Sequence, residues 1–570
     1  VAIPYYSYKN YYTCNAIKAQ SYTLEDGKIV KTKIAKSDIF EKQEDEYYTT
    51  KSFAIPNVSV GSIIEYTYTL RSDQITYLDD WLFHNDIPTL YSGFSLLSIP
   101  ANLDFRFMMD GDKVIRKYRN TTSPISHWSL TNTPPIRNEP MVANPLNYAN
   151  KIRFQLAGYR TANAGMNGYS GSSTENYHKL LNDWPQIVKE QLWENASFNH
   201  PFLHKKQFSD NIAQVVSGVS DAKERMKLVY AYCQRYFKWS GDHSIFFGKD
   251  EKQKVTKGLE LDSGPLNLYL VAMLKEAGLK ATPVLISTRR HGKVYRDSRF
   301  LSQFNHVIAH VDISGKPYFL DATIPYQSYQ FLPVKDMNVL GIRADKTAPK
   351  WVNLPMPKQN NSILQYTIDL SASGKRSYQI NAKYKGVYQV EERALLQRKG
   401  ESAYIGDKFS AFKEGFTIDS FQVKNAANLE QPLSMSCSLS SNEEMEEEDA
   451  DILYVPLFQE GMTTNPFQNE VRYYPVEIAF ARRFITTVTV KLPEGYEVEE
   501  KPENKRIELV NKMGYFDYKI TLAEGEVNVS TTLFMKHGKI KPRNYEALKG
   551  FFTDVIGKMQ EQLVLKRKQG

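Results

Sequence analysis

His306 and Asp321 are the residues whose types and spacing could do chemistry in this chain. A carboxylate that binds an imidazole orients it, and an imidazole held in this way can take a proton from a neighbouring group. The two residues lie in strand-like segments that follow an apolar segment of helical length, and Ser263 stands at the start of that segment. His306 and Asp321 therefore indicate a site for general-base work, or the remnant of such a site.

A helix and a set of strands between residues 261 and 321 must position these side chains. The apolar segment that ends at Gly278 predicts the helix. Serine followed by Gly264 and Pro265 is typical of a helix entry, so we expect Ser263 to be the N-cap and the proline to lie in the first turn. Alternating apolar and polar residues then predict strands over 281–287, 304–311 and 317–321.

The register of the last two strands can be predicted from the turn between them. A tight turn at 314–315 places Ile308 opposite Asp321. His306 and His310 are then the two diagonal neighbours of the aspartate on the same face. A histidine and an aspartate on one face of a hairpin form the pair that orients an imidazole for general-base work. We therefore expect His306 and Asp321 to be partners.

The histidines of this hairpin do not predict a metal site. His306 and His310 are four residues apart, which is roughly 13 Å along a strand. Two ligands of one zinc ion must each lie about 2 Å from it. Since the sequence shows no other His, Cys or Asp cluster at ligand spacing, we expect neither a metal nor another cofactor.

These residues resemble the transglutaminase-like, papain-like cysteine enzymes, in which the nucleophile stands at a helix N-terminus and strands with His and Asp follow. The resemblance implies that Ser263, upstream of Gly278, occupies the position of the nucleophilic cysteine. It assigns His306, in Phe-Asn-His-Val-Ile, to the catalytic histidine and Asp321, in Tyr-Phe-Leu-Asp-Ala-Thr, to the orienting aspartate. Trp239, in Lys-Trp-Ser-Gly, would lie on the oxyanion side.

The wider layout is similar to a group of uncharacterised, mostly exported bacterial proteins. These carry an N-terminal β domain of unknown function, a transglutaminase-like core and a C-terminal β domain. The segments that carry this resemblance, beside the core, are Ile55-Pro56-Asn57-Val58, the stretch 60–66, Asp80-Trp81-Leu82-Phe83 with Ile87-Pro88, and the stretch 545–552. The resemblance covers nearly the whole chain and implies a periplasmic or cell-surface location.

The serine at position 263 departs from the cysteine of these enzymes. A cysteine beside an imidazole at a helix N-terminus ionises with a pKa of roughly 3.5–7.5. A serine hydroxyl must instead lose its proton to a positioned base during attack. Cys233 offers no replacement because it falls in the middle of a predicted helix. Three interpretations follow: a non-catalytic core, a serine-dependent enzyme, or a Cys→Ser variant of an active enzyme.

The chain of 570 residues is too long for one core, and it predicts an α+β multidomain protein. We expect an N-terminal β-sandwich-like domain, a transglutaminase-like α+β core, and C-terminal β domains with a terminal amphipathic helix over 545–565. A Gly-, Ser- and Asn-rich stretch at 162–174 indicates a linker, and the acidic run at 442–451 indicates a solvated loop. The predicted domains are 1–165, 175–350, 351–475 and 476–570.

Composition limits the partners. The net charge of +8 is dilute and the acidic and basic residues alternate, so nucleic acid is excluded as an expected partner. No apolar run reaches the length of about 18 residues that a membrane-spanning helix needs. The chain begins at Val1 without a recognisable signal peptide, which we expect of a processed or incomplete form. Envelope proteins, peptides and glycans remain as candidate partners.

These observations favour a non-catalytic transglutaminase-like protein of the bacterial cell envelope that acts in binding or scaffolding. The alternative is a serine-dependent hydrolase or acyltransferase that uses Ser263, His306 and Asp321 on amide or ester bonds.

Overall fold

The structure is a computed structural model that describes residues 1–45, 47–73, 78–111, 116–119, 126–162, 175–180, 183–248, 260–370, 376–412, 415–441, 451–458 and 462–569. The chain divides into two compact units. Unit 1 comprises Val1–Trp81, Leu96–Met108 and Ile152–Leu180, and unit 2 comprises Leu82–Ser95, Met109–Lys151 and Leu181–Gly570.

The N-terminal part of the chain is built from strands, as its alternating sequence predicts. The strands are β1 Ala2–Tyr6, β2 Tyr12–Glu25, β3 Lys28–Lys33, β4 Ile39–Gln43, β5 Tyr48–Phe53, β6 Ile63–Ser72, β7 Trp81–Leu82, β8 Thr89–Leu96, β9 Leu103–Asp110, β10 Arg116–Arg119, β11 Ser126–Thr133, β12 Lys151–Ala162 and β13 Glu175–Lys179. Within unit 1 they form small sheets, β1-β5-β4 and β3-β2-β6, and β12 pairs with β9 and β13. The β content is confirmed; the sandwich arrangement stays a prediction.

Helices begin after residue 183. They are α1 Trp184–Ile187, which continues as a π-helix over Val188–Trp193, α2 Ala196–Leu203, α3 Ser209–Val215, α4 Ala222–Tyr236, α5 Ser263–Glu276, α6 Val387–Lys399, α7 Glu401–Lys408 and α8 Tyr545–Met559. Asp221 caps α4, since its side chain accepts from the N–H of Glu224 at 2.8 Å. Cys233 is buried on α4, as its spacing predicts. In the described part of the chain, no helix combines the length and apolar character needed to cross a bilayer.

Residues 177–193 carry an amphipathic pattern that predicts a helix with Pro185 as a kink or break. That interpretation is wrong at its start, because residues 177–179 belong to β13. The helix begins at Trp184, with the side chain of Asp183 accepting from the N–H of Gln186 at 3.2 Å. Pro185 lies in the first turn, where a proline costs no helical hydrogen bond.

The centre of unit 2 is a five-stranded sheet with α5 against it. Its strands are β16 Lys280–Ile286, β17 His306–Ile313, β18 Lys316–Leu320, β19 Leu340–Arg343 and β20 Lys350–Asn353, in the antiparallel order β18-β17-β16-β19-β20. Two short strands, β14 Lys238–Trp239 and β15 Glu260–Leu261, pair with each other just before α5. Residues 263–274 of α5 are buried all round, which explains why the helix is apolar on every face.

The C-terminal part of unit 2 is dominated by an eight-stranded sheet of order β23-β24-β22-β21-β27-β31-β30-β29. The strands of this region are β21 Asn361–Leu370, β22 Arg376–Tyr384, β23 Phe416–Lys424, β24 Leu433–Ser441, β25 Ile452–Pro456, β26 Val476–Ile478, β27 Arg482–Lys491, β28 Tyr496–Glu500, β29 Lys505–Leu509, β30 Gly514–Ala523, β31 Glu526–Met535, β32 Gly538–Ile540 and β33 Gln562–Arg567. The domain boundary predicted at 475–476 falls inside this sheet, since β21 and β27 pair in parallel.

The terminal helix is shorter than the sequence pattern indicates. α8 ends at Met559, and Leu563 and Leu565 lie on β33, which pairs with β25 and β28. The helix predicted over 545–565 is therefore wrong beyond Met559, and Lys566 lies on β33. Two buried leucines separated by one residue are compatible with a strand as well as with a helix. The pairing of β33 with two neighbouring strands shows that they lie in a strand. The predicted linker at 162–174 and acidic run at 442–451 fall almost entirely outside the described residues.

The protein is therefore a multidomain, mostly β-sheet structure with one long helix near its C-terminus. The transglutaminase-like assignment of its centre stays a prediction at this point.

Candidate functional site

Ser263 is the first residue of α5 and is buried. The N-cap is Asp262, whose backbone is extended (φ −63°, ψ 158°), so the expectation that Ser263 caps the helix is wrong by one residue. The Ser263 Oγ lies 2.9 Å from Nδ1 of His243, a histidine that the sequence analysis did not single out. The nucleophile position thus has an imidazole partner, and this partner comes from the segment before the helix.

The segment that carries His243 lies tightly against the start of α5. A Cβ atom added at Gly264 would fall far inside van der Waals contact of the Ser244 carbonyl oxygen and 3.0 Å from the Cα of Ile245. Glycine at this position therefore permits the close approach that brings the imidazole to the serine.

His306 and Asp321 lie together, as the hairpin register predicts. Ile313 pairs with Lys316 and Ala309 with Leu320, which is the predicted register. The His306 Nε2 lies 3.4 Å from the Asp321 Oδ2, and both side chains are fully buried. The centre of the His306 ring lies 5.4 Å from the centre of the His243 ring. His243 therefore contacts both Ser263 and the ring of His306.

Asp321 is held by a dense set of donors. Its Oδ1 accepts from Nδ2 of Asn267 at 2.7 Å and from the N–H of Thr323 at 3.0 Å. Its Oδ2 accepts from Oγ1 of Thr323 at 2.7 Å and from Nζ of Lys335 at 2.7 Å. Asn267 lies one turn after Ser263 on α5 and also donates to the Ser263 carbonyl oxygen at 3.2 Å. The carboxylate is thereby fixed to the same helix that presents the serine.

Lys335 lies at the centre of the cluster. Its Nζ is 3.2 Å from Nε2 of His306 and 3.3 Å from Oδ1 of Asp336, in addition to its bond with Asp321. It also lies 5.1 Å above the ring of Trp239. The lysine side chain is largely buried, with 20% of its surface exposed. An ammonium group therefore links the predicted histidine and aspartate and covers them.

Three side chains of the cluster lie close enough together to be considered as a metal site. Ligand atoms of His306, Asp321 and Asp336 all lie within 4.8 Å of one another. Linear spacing does not reveal this group, because Asp336 lies in an irregular 3-10 turn. The Nζ of Lys335 lies within hydrogen-bonding range of all three side chains, so the ammonium takes the place that a metal cation would need. The residues present do not fit a metal unless Lys335 moves away.

Burial and the ammonium of Lys335 shift the pKa values of Asp321 and Asp336 in opposite directions. Burial alone would raise the pKa of Asp321, but the ammonium of Lys335 holds it well below its usual range. For Asp336, burial outweighs Lys335 and, with the neighbouring Asp321 charge, raises the pKa well above its usual range. The ammonium of Lys335 therefore favours the ionised form of Asp321, while burial favours the protonated form of Asp336.

Both histidines are neutral near neutral pH. Burial and the charge of Lys335 lower the pKa of His306 to about 4. The same two causes lower the pKa of His243 to about 4. A neutral His306 that accepts from the lysine through Nε2 carries its proton on Nδ1, and this atom has no hydrogen-bond partner among the described residues. In this tautomer Nδ1 cannot take a proton from a nucleophile.

The donors nearest the serine are already occupied. The indole N–H of Trp239 donates to the carbonyl oxygen of Asp242 at 2.7 Å, and the backbone N–H of Ser263 donates to the same oxygen at 3.1 Å. An oxyanion formed at Ser263 would have to displace this carbonyl. Trp239 thus lies at the site, as predicted, but its role toward an oxyanion stays a prediction.

The cluster contains the four predicted residues Ser263, His306, Asp321 and Trp239, and four that were not predicted: His243, Asn267, Lys335 and Asp336. Asn267 could have been found, because it lies one turn from Ser263 on a predicted helix face. His243 could have been suspected from its nearness to Trp239. Lys335 and Asp336 lie in a 3-10 turn between strands, where no periodicity marks them.

Comparisons with known proteins agree with this architecture. Residues 1–137 match a family described as a domain of unknown function with a solved structure (DUF3857), and residues 450–565 match a second such family (DUF3858). The chain is similar in fold to a crystal structure of a "putative protease" from Parabacteroides distasonis ATCC 8503, with a TM-score of 0.60 and 13% identity, over 99% of this chain and 91% of that chain. At this identity the likeness concerns the fold alone. No curated protein matches the sequence.

Proposed function

We propose that this chain is a non-catalytic, transglutaminase-like protein of the bacterial cell envelope that acts by binding or scaffolding. The proposed core runs from α4 through α5 to β18, with a polar residue at a helix start and a histidine and an aspartate on the following strands. Matches to domains of unknown function at both ends of the chain support the wider layout. The envelope location and the partners, whether proteins, peptides or glycans, rest on resemblance.

The observation that carries the proposal is the closure of the Ser263 site by its own neighbours. Ser263 has no exposed surface, and its Oγ is engaged by His243. A serine nucleophile needs room for a substrate carbonyl and a base that can take its proton. Lys335 neutralises Asp321 and bonds to His306, so the histidine that the family pattern assigns as base is committed elsewhere.

A second candidate function is a serine-dependent hydrolase or acyltransferase acting on amide or ester bonds. The bond of 2.9 Å between Ser263 and a neutral His243 favours it, because this is the geometry of a hydroxyl and its general base. The predicted version uses Ser263, His306 and Asp321. In either version Asp242 would have to release the N–H donors beside the serine.

The test is labelling of the purified protein with a fluorophosphonate, which phosphonylates activated serines with loss of fluoride. We expect the wild type to remain unlabelled while a serine hydrolase in the same reaction is labelled. Ser263→Ala is the matched control for site specificity. Labelling of the wild type that disappears in this variant would establish the enzyme and overturn the non-catalytic proposal, and His243→Ala against His306→Ala would then identify the base.

A further inference from the structure

A cavity of about 490 Å³ lies within unit 2, on the side of the central sheet that meets the C-terminal strands. Its walls come from six places in the chain: the segment before β12, the loop after β16, the turn that leads into β19, the end of β20, β26, and the segment that leads into β32. The volume falls in the range of small-molecule sites, roughly 300–1,000 Å³. None of the Ser263 cluster described above lines it.

The cavity is rich in positive charge. Arg289, Lys293, Arg296 and Lys539 line it, and Glu477 is the one carboxylate among its described lining residues. Four cationic side chains against one carboxylate leave the walls with an unbalanced positive charge. Such a concave cationic surface concentrates anions, because low-dielectric walls strengthen its field.

Glu477 cannot neutralise more of this charge because its oxygens are already occupied. Its Oε1 accepts from Nζ of Lys539 at 2.7 Å and from the hydroxyl of Tyr148 at 2.6 Å. Its Oε2 accepts from the N–H of Ala143 at 3.0 Å and lies 3.5 Å from Nη2 of Arg289. The carboxylate positions two of the cations and leaves the net charge of the cavity positive.

The loop that carries Arg289 and Lys293 is fixed before any ligand arrives. The Nδ2 of Asn144 donates to the carbonyl oxygens of Arg290 and His291 at 2.7 and 3.0 Å. The Oδ1 of Asn147 accepts from the N–H of Lys293 at 3.0 Å. A preorganised loop reduces the entropy that a ligand must overcome.

Apolar side chains share the walls with the cations. They are Val294, Met337, Val339, Leu340 and Ile478. A site with a few charged groups among apolar walls suits a ligand that has an anionic head and a less polar body. A bare inorganic anion would leave these walls unused.

We propose that this cavity binds a small organic oxyanion, a phosphate ester or a carboxylate on a sugar-sized body. Arg296, on the exposed rim, and Lys293 contact the anionic group, and the apolar walls contact the body. The site is separate from the Ser263 cluster, so the proposal does not depend on whether that cluster is catalytic.

The experiment is calorimetric titration of the full chain at low ionic strength with glucose 6-phosphate, glucuronate and glucose. We expect saturable binding of at least one anion and none of neutral glucose, with affinity that falls as salt is added. The stronger of the two anions distinguishes a phosphate from a carboxylate site. In the double variant Lys293→Gln/Arg296→Gln, binding should weaken about tenfold or more, since charge-assisted hydrogen bonds are lost.

Arg299→Gln is the matched control, because Arg299 is exposed near Arg296 and does not line the cavity. It should bind as the wild type does, and circular dichroism should show every variant folded. The proposal is overturned if neither anion binds saturably, if glucose binds equally well, or if a folded double variant retains wild-type affinity.

Discussion

Lys335 determines how the neighbouring residues can behave. Two buried aspartates and a buried histidine would be costly without a cation, since an isolated charge in an apolar interior is strongly disfavoured. The ammonium stabilises the ionised Asp321, while burial and the neighbouring Asp321 charge raise the pKa of Asp336. A buried ion pair of this kind gives little net stability, but removing one partner leaves a buried charge and costs about 3–5 kcal/mol. The primary role of Lys335 is therefore structural, as the ion-pair partner of the Asp321 carboxylate.

The two neutral histidines predict a loss of stability in acid. The pKa values of His306 and His243 are lowered to about 4, from 6.5 for an unperturbed histidine. Between these values the unfolded chain binds more protons than the folded one, so the free energy of unfolding falls as the pH falls from about 6.5 to about 4. Each histidine contributes up to about 1.4 kcal/mol per pH unit. Asp336, with its raised pKa, acts in the opposite direction and offsets part of this loss.

Denaturant unfolding at several pH values across this window measures the effect. In His243→Asn the slope of the free energy of unfolding against pH should decrease by the equivalent of about one proton, because one of the two histidines no longer titrates. Asp336→Asn should instead steepen the loss, because the opposing group is removed. A wild-type free energy of unfolding that rises as the pH falls would contradict the assignment of neutral histidines.

At the scale of the elements, the features that can be predicted from the sequence are those that leave a periodic pattern of apolar residues. The helix before Gly278, the strands after it and the register of the hairpin with Asp321 all follow from apolar spacing and one tight turn. The positions of Lys335 and His243 do not, because both lie in irregular segments whose place depends on tertiary contacts. The C-terminal strand could not be distinguished from a helix, because buried leucines at close spacing fit the helical and the strand period equally well.

Gly264 tests how tightly the start of α5 is packed. In Gly264→Ala the new methyl group would collide with the carbonyl oxygen of Ser244, which is backbone and cannot move aside cheaply. We expect a loss of more than about 2 kcal/mol in the free energy of unfolding, as in other overpacked cores. The measurement is denaturant unfolding monitored by circular dichroism.

Gly557→Ala is the control for helix propensity. Gly557 lies in α8, and a Cβ there meets no atom within 4 Å. This variant should be stabilised by about 0.5–1 kcal/mol, because alanine favours a helix over glycine. Equal effects in the two variants would mean that the contact at Gly264 is not as close as described.

At the scale of the whole molecule, unit 2 includes a segment from the N-terminal half of the chain. Residues 109–151 belong to it, although the sequence placed them in a domain ending at 165. Glu139 explains the attachment: its carboxylate accepts from the N–H groups of Tyr473 and Tyr474 at 2.8 and 3.0 Å. Linear patterns predict where strands lie, but a segment that returns to another part of the fold leaves no periodic signal.

Glu139 also lies 3.7 Å from Arg472, and both side chains are only 1% exposed. Glu139→Ala should therefore leave the buried guanidinium of Arg472 without its carboxylate partner and lower the free energy of unfolding by about 3–5 kcal/mol. Hydrogen exchange should show faster exchange in peptides covering 137–147 and 472–478, because their mutual hydrogen bonds open first. Peptides of α5 should keep their protection, since the helix is held by the separate core around it. Arg472→Met in the same chain removes the unpaired charge and should restore part of the lost stability. If α5 loses protection as early as the 472–478 strand region, the attachment is not a local one and the whole of unit 2 unfolds as a single cooperative body.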